Sequence, residues 1–119
     1  MATRDLHKYA LGMVYKYRWL DQALEDLEQE VGYVFYEFGI ASARKAEATI
    51  HECVTQLCSF PHLGVTYEGL KYNGNEVRIL HAKQVSIIYN LEGELITLIA
   101  LWNNRRDNEV LKSVIMSRQ

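Results

Sequence analysis

The chain has 119 residues, a formal charge of −2, 49% hydrophobic residues and 24% charged ones. That profile fits one globular domain over residues 1–119, able to bury a core without disulfide or metal staples. It excludes a protein that lives on phosphate contacts over its whole surface. It also excludes a membrane span, since no apolar run approaches ~20 residues. No signal peptide is legible at the N-terminus, so the cytoplasm is the expected compartment.

Residues 1–12 carry no pattern and read as a lead-in. Residues 13–20 alternate, with Met13, Tyr15, Tyr17 and Trp19 on one side, and this period of two predicts a strand. Residues 21–38 switch to a helical period through Leu20, Ala23 or Leu24, Leu27, Val31, Val34 or Phe35, and Phe38. Asp21 is the expected N-cap and Gly39 the expected stop. Six acids (Asp21, Glu25, Asp26, Glu28, Glu30, Glu37) and no base lie on this helix. They read as a solvated face, or as one that repels nucleic acid and meets a basic partner.

Residues 40–60 form a second helix on Ile40, Ala43, Ala46, Ile50, Val54, Leu57 and Phe60, ended by Pro61. The short link predicts an antiparallel helical hairpin. Cys53 and Cys58 would diverge by ~140° on this helix, so they are read as apolar core residues and not as a disulfide. Val65–Tyr72 reads either as a strand paired with the next across Asn73-Gly74, or as an open loop. Strands follow near 76–82, 84–91 and 94–102. In the second, Val85, Ile87, Tyr89 and Leu91 share a face. The third is apolar on both faces, Leu95, Ile99 and Leu101 against Ile96, Leu98, Ala100 and Trp102. Such a strand should be covered on both sides. Glu109–Met116 is a short helix that can cover one of them. The expected fold class is α+β: an N-terminal strand, an antiparallel helical hairpin, an antiparallel three- to four-stranded sheet and a short C-terminal helix.

Chemistry concentrates between Val77 and Asp107. The candidate target- or phosphate-binding residues are Arg78, Lys83, Trp102, Asn103, Arg105 and Arg106. Trp102 reads as core packing under the last helix, with stacking on a target as its functional alternative. His81 and Tyr89 are the weak acid/base candidates; a lone histidine is more often structural than catalytic. No cofactor and no metal are expected, because no ligand spacing such as CxxC or HxxxH occurs.

Several segments together resemble the RelE/ParE toxin superfamily of type II toxin–antitoxin systems. They are Ala23-x-x-Asp26-Leu27, Phe60-Pro61-x-x-Gly64, Arg78-x-Leu80 leading into Ser86-Ile87-Ile88-Tyr89, and Leu101-Trp102-Asn103-Asn104-Arg105-Arg106-Asp107. The resemblance covers residues 13–116. It implies a cytoplasmic toxin silenced by a cognate antitoxin, and either of two targets: DNA gyrase for ParE-like members, or the ribosome and its mRNA for RelE-like endoribonucleases. A member that has lost toxicity and only binds its partner is a third reading. RelE-like ribonucleases often carry an arginine where this chain has Ser86, and a tyrosine or histidine near the C-terminus. No tyrosine or histidine follows Tyr89 here, and Asn103 stands where a histidine often sits. From Lys71 onward seven bases face five acids, a thin surplus for a protein that grips ribosomal RNA. The residues therefore favour the gyrase reading, in which the toxin needs only a binding surface. Its apolar groove would take an amphipathic antitoxin segment, or pair two copies as a homodimer.

Overall fold

The computed structural model describes residues 15–119. The expected lead-in and the first two residues of the expected N-terminal strand lie outside them. In chain order come β1 (Lys16–Trp19), α1 (Asp21–Phe38), α2 (Ile40–Ser59), β2 (Val65–Tyr72), β3 (Asn75–Ala82), β4 (Val85–Glu92), β5 (Leu95–Asn103) and α3 (Asn108–Ser117). The fold is α+β, as expected. The sheet, however, has five strands in the order β1-β5-β4-β3-β2. β1 joins it as a parallel neighbour of β5, Lys16 opposite Leu95 and Trp19 opposite Leu98. Periodicity finds a strand but is blind to which neighbour it pairs with, so the expected three- to four-stranded antiparallel sheet becomes a five-stranded mixed one.

Val65–Tyr72 is a strand, and Asn73 (φ 50) with Gly74 (φ 81) makes the tight turn into β3. Both central residues take positive φ, the backbone a two-residue hairpin needs. Asp21 is not the cap of α1: Leu20 occupies that position and no side chain closes it. Gly39 does end α1, at φ 92. Asp107 caps α3, its carboxylate accepting the Glu109 amide at 2.9 Å. No helix among the described residues is long and apolar enough to cross a membrane.

β5 is covered on both sides, as its composition requires. The helical hairpin packs on one face, Leu27, Ile50 and Leu57 against Trp19, Ile87 and Leu98 of the sheet. α3 packs on the other through Leu111 and Ile115 over Ile88, Ile99 and Trp102. The two faces of β5 are not the ones a strict alternation gives. Ile96, Leu98 and Leu101 face the hairpin, whereas Ile99, Ala100 and Trp102 face α3. The cause is a bulge: Tyr89 pairs with Leu98 and Ile88 with Ala100, so Ile99 is the extra residue. One inserted residue exchanges the faces of all that follow.

Neither cysteine is in a disulfide; Cys58 is buried and Cys53 half-buried. Desolvation pushes the Cys53 thiol above its usual value, and neighbouring Glu52 adds to the effect. Cys53 is therefore held as a neutral thiol.

Candidate functional site

The residues singled out by the sequence fall in three different places. Arg78, half-buried, and Tyr89, in the interior, belong together. The Tyr89 side chain is fully buried, and its hydroxyl donates to the Pro61 carbonyl at 2.7 Å while accepting the Gly64 amide at 2.9 Å. Arg78 donates from Nη1 to the Gly64 carbonyl at 2.7 Å. Three of the segments that carry the family resemblance, Pro61-x-x-Gly64, Arg78-x-Leu80 and Ser86–Tyr89, thus meet in one clamp. The clamp fastens the chain leaving α2 across β3 and β4.

Burial raises the Tyr89 pKa; the Gly64 hydrogen bond and the Arg78 charge pull it part of the way back. The folded-state value stands above the unfolded one, so this contribution to stability is complete below about pH 10 and lost as pH rises through the raised value. The urea midpoint is expected to fall on the alkaline side of pH 10. That component should be missing from Tyr89→Phe, and an identical alkaline limb in the variant would contradict it.

His81 and Trp102 lie on the α3 face, where both line a pocket of about 310 Å³ beside Ser86 and Leu111. His81 Nδ1 is 2.7 Å from Ser86 Oγ, and Ser86 Oγ is 2.6 Å from Asn104 Oδ1. The Asn104 amide nitrogen donates to the Lys83 carbonyl at 3.1 Å, which turns Oδ1 toward Ser86. Ser86 must then donate to Asn104 and accept from His81, so Nδ1 of His81 carries the proton. The imidazole cannot act as a base toward Ser86; the chain of bonds ties the β3–β4 turn to the exit of β5. Trp102 is 2% exposed and packs as core, with the Arg106 guanidinium 4.0 Å above its ring.

Lys83 and Arg105 come together toward the linked end of the helical hairpin, near Phe38 and Ser42. They line a cavity of about 340 Å³ between α1, α2 and the β3–β4 turn, walled by Val34, Ala46, Ile50 and Val85. Lys45 of α2 is the third cation there; no spacing relates it to the other two, so sequence reasoning missed it. Arg105 is held in place. Its guanidinium lies 4.5 Å from the Tyr33 ring centre, Nη1 donates to the Tyr33 hydroxyl at 2.6 Å, and Nε donates to Asn103 Oδ1 at 3.2 Å. Asn103 in turn donates to Glu30 Oε1 at 3.0 Å. The chain Glu30–Asn103–Arg105–Tyr33 anchors the basic turn to α1. Tyr33 was invisible as a partner because 72 residues separate it from Arg105. Lys83 takes φ 60, unusual for a side chain with a Cβ.

The surface can therefore present fixed positive charge over aromatic and apolar ground. Beside those cations stand the Tyr33 hydroxyl, which accepts from Arg105, and Glu30, which accepts from Asn103; Tyr89 is sealed in the clamp and His81 is on the other face of the sheet. No cluster of three metal-ligating side chains occurs among the described residues.

A helical hairpin on a sheet of this order, with a basic turn after its last strand, is the architecture of the RelE/ParE superfamily of small toxins. The family model of the ParE toxin of the type II toxin–antitoxin system parDE matches residues 17–108, and the chain belongs to that family. Among solved structures it is similar to a chain of the chromosomal ParDE TA system from P. aeruginosa. The two share 22% identity at a TM-score of 0.63, covering 76% of this chain and 97% of that one. That likeness is one of fold. No curated protein matches the chain. It is a toxin of a type II toxin–antitoxin system, and an antitoxin is its partner.

Proposed function

We propose that the toxin acts in the cytoplasm by binding DNA gyrase, and that Arg105 and Arg106 are the core of the surface that grips it. The observation that carries this reading is how the two arginines are presented. Each guanidinium lies over an aromatic ring, Arg105 on Tyr33 and Arg106 on Trp102, and the Tyr33 hydroxyl is engaged in holding Arg105 by accepting from its Nη1. A ribonuclease must deprotonate a 2′-hydroxyl and protonate a leaving oxygen; a gyrase-binding toxin needs only complementarity, and pre-set arginines lose little entropy on binding. The cavity with Lys45, Lys83 and Arg105 at its rim suits an acidic, amphipathic antitoxin segment. An antitoxin seated there would cover Arg105 and silence the toxin by occupying the gripping surface. Pairing of two copies would use a different side of the hairpin.

The purified toxin is expected to inhibit DNA supercoiling by gyrase. Arg105→Ala with Arg106→Ala should weaken inhibition at least about tenfold, ~1.4 kcal/mol of binding, with the unfolding midpoint nearly unchanged because both side chains are exposed. In cells freed of antitoxin, induction should raise a DNA-damage response with messages intact. Prompt arrest of translation with cut messages would instead support the RelE-like endoribonuclease, and no growth effect would support a member that only binds its partner.

A further inference from the structure

The apolar stripe of α1 is covered for only half its length. Its buried residues are Ala23 and Leu27, both in the first half. Beyond them Phe35 is 48% exposed and Tyr36 88%, and Ile40 at the start of α2 is 56% exposed. Aromatic groups of this size are rarely left to water in such a cluster without an occupant. The hairpin has two open sides, and they differ in charge. One is the cavity with Lys45, Lys83 and Arg105, single-signed but for Glu30. The other is a groove of about 570 Å³ between the outer faces of α1 and α2, floored by Leu24, Val31, Phe35 and Ile40. Its charged residues are Glu28, Glu47 and Arg44, of both signs. A groove carrying both signs beside apolar ground is complementary to itself.

We infer that this groove is a dimer interface between two copies of the chain, packed hairpin against hairpin about a two-fold axis near Gly32. Gly32 is the position on α1 where an added Cβ meets nothing within 4 Å, so the groove is open there. A bare glycine lets the two α1 helices approach closely. Tyr36 stands one turn beyond Gly32 on the same stripe, which sets it against the Leu24–Val31 end of the other copy. Arg44 of each copy then reaches the acids Glu28 and Glu47 of its mate. The cationic cavity stays free on the far side, so self-association and binding of an acidic segment do not compete. The inference does not rest on the toxin's target and needs no toxic activity to test.

The test is the mass of the purified chain in solution, by light scattering or sedimentation at micromolar concentration. The expected result is about twice 13.8 kDa. Gly32→Lys should dissociate the dimer by at least about tenfold while its melting temperature does not fall below that of a monomer. Removing a mid-helix glycine favours the helix, and the space at Gly32 is open. Lys45→Glu, on the other side of the hairpin, should leave the dimer intact. A monomeric parent chain would overturn the inference. So would a dimer that survives Gly32→Lys, or one that Lys45→Glu breaks instead.

Discussion

Gly64→Ala is expected to cost about 3–5 kcal/mol, a drop of ~10–20 °C in melting temperature, although the substitution adds one methyl group. A Cβ at Gly64 would sit 2.8 Å from the Ile79 carbonyl oxygen, from Tyr89 Cε1 and from the Tyr89 hydroxyl. None of these can give way cheaply. Ile79 is paired backbone of β3, opposite Ile88, and the Tyr89 ring is fully buried. Overpacking of this kind typically costs 1–3 kcal/mol. Pushing Tyr89 aside also breaks its bonds to Pro61 and Gly64, and each buried group left without a partner costs roughly another 1–3 kcal/mol. Urea unfolding checks the figure. Tyr89→Phe keeps the ring and should cost about 2 kcal/mol. In that background Gly64→Ala should hurt less than in the parent, because one of its three collisions is gone. A loss under about 1 kcal/mol for Gly64→Ala alone would mean the clamp is looser than its distances imply.

That clamp explains what the sequence could and could not say. Pro61, Gly64, Arg78 and Tyr89 are recognisable as a set because the fold needs them together. They mark the family for a structural reason, so the resemblance carried the architecture well and the target poorly. Arg78 looked like a binding cation in the sequence because its partners are backbone carbonyls, and a carbonyl leaves no trace in the letters. Strands and helices were legible wherever the apolar period was strong: α1 and α2 end within a residue or two of the expected places. The parallel pairing of β1, the bulge at Ile99 and the contact of Tyr33 with Arg105 were not legible. Each depends on residues far apart in the chain, and local pattern holds no information on them. The acidic face of α1 was misread in part for the same reason. Glu30 is tied to Asn103, and Asp26 to Arg118, so two of its six acids are structural.

Asp26→Ala is the second large effect expected, about 3 kcal/mol. β1 ends opposite Leu98, so β5 continues past it with an open edge just where the Ile99 bulge sits. Asp26 and Arg118 fill that place. Asp26 Oδ2 accepts the Leu101 amide at 3.0 Å, and Arg118 Nη1 donates to the Ile99 carbonyl at 2.9 Å. The two side chains meet as a bidentate pair at 2.7 and 3.0 Å, only 15% and 12% exposed. An ion pair therefore takes over the hydrogen bonds a longer β1 would have made, and with them it ties α1, β5 and the end of α3 into one unit. Removing the carboxylate strands both the Leu101 amide and a mostly buried guanidinium, which is why the cost exceeds that of a surface pair. Arg118→Ala leaves Asp26 with the Leu101 amide and should cost less, about 2 kcal/mol. The double variant should cost clearly less than the sum of the two, since neither charge is then left alone. Hydrogen exchange separates this from a general loss of stability. The Leu101 amide and the α3 amides should exchange faster in Arg118→Ala while those of β3 and β4 keep their protection. Additive single-variant costs, or uniform loss of protection, would show that the pair does not serve as the missing end of β1.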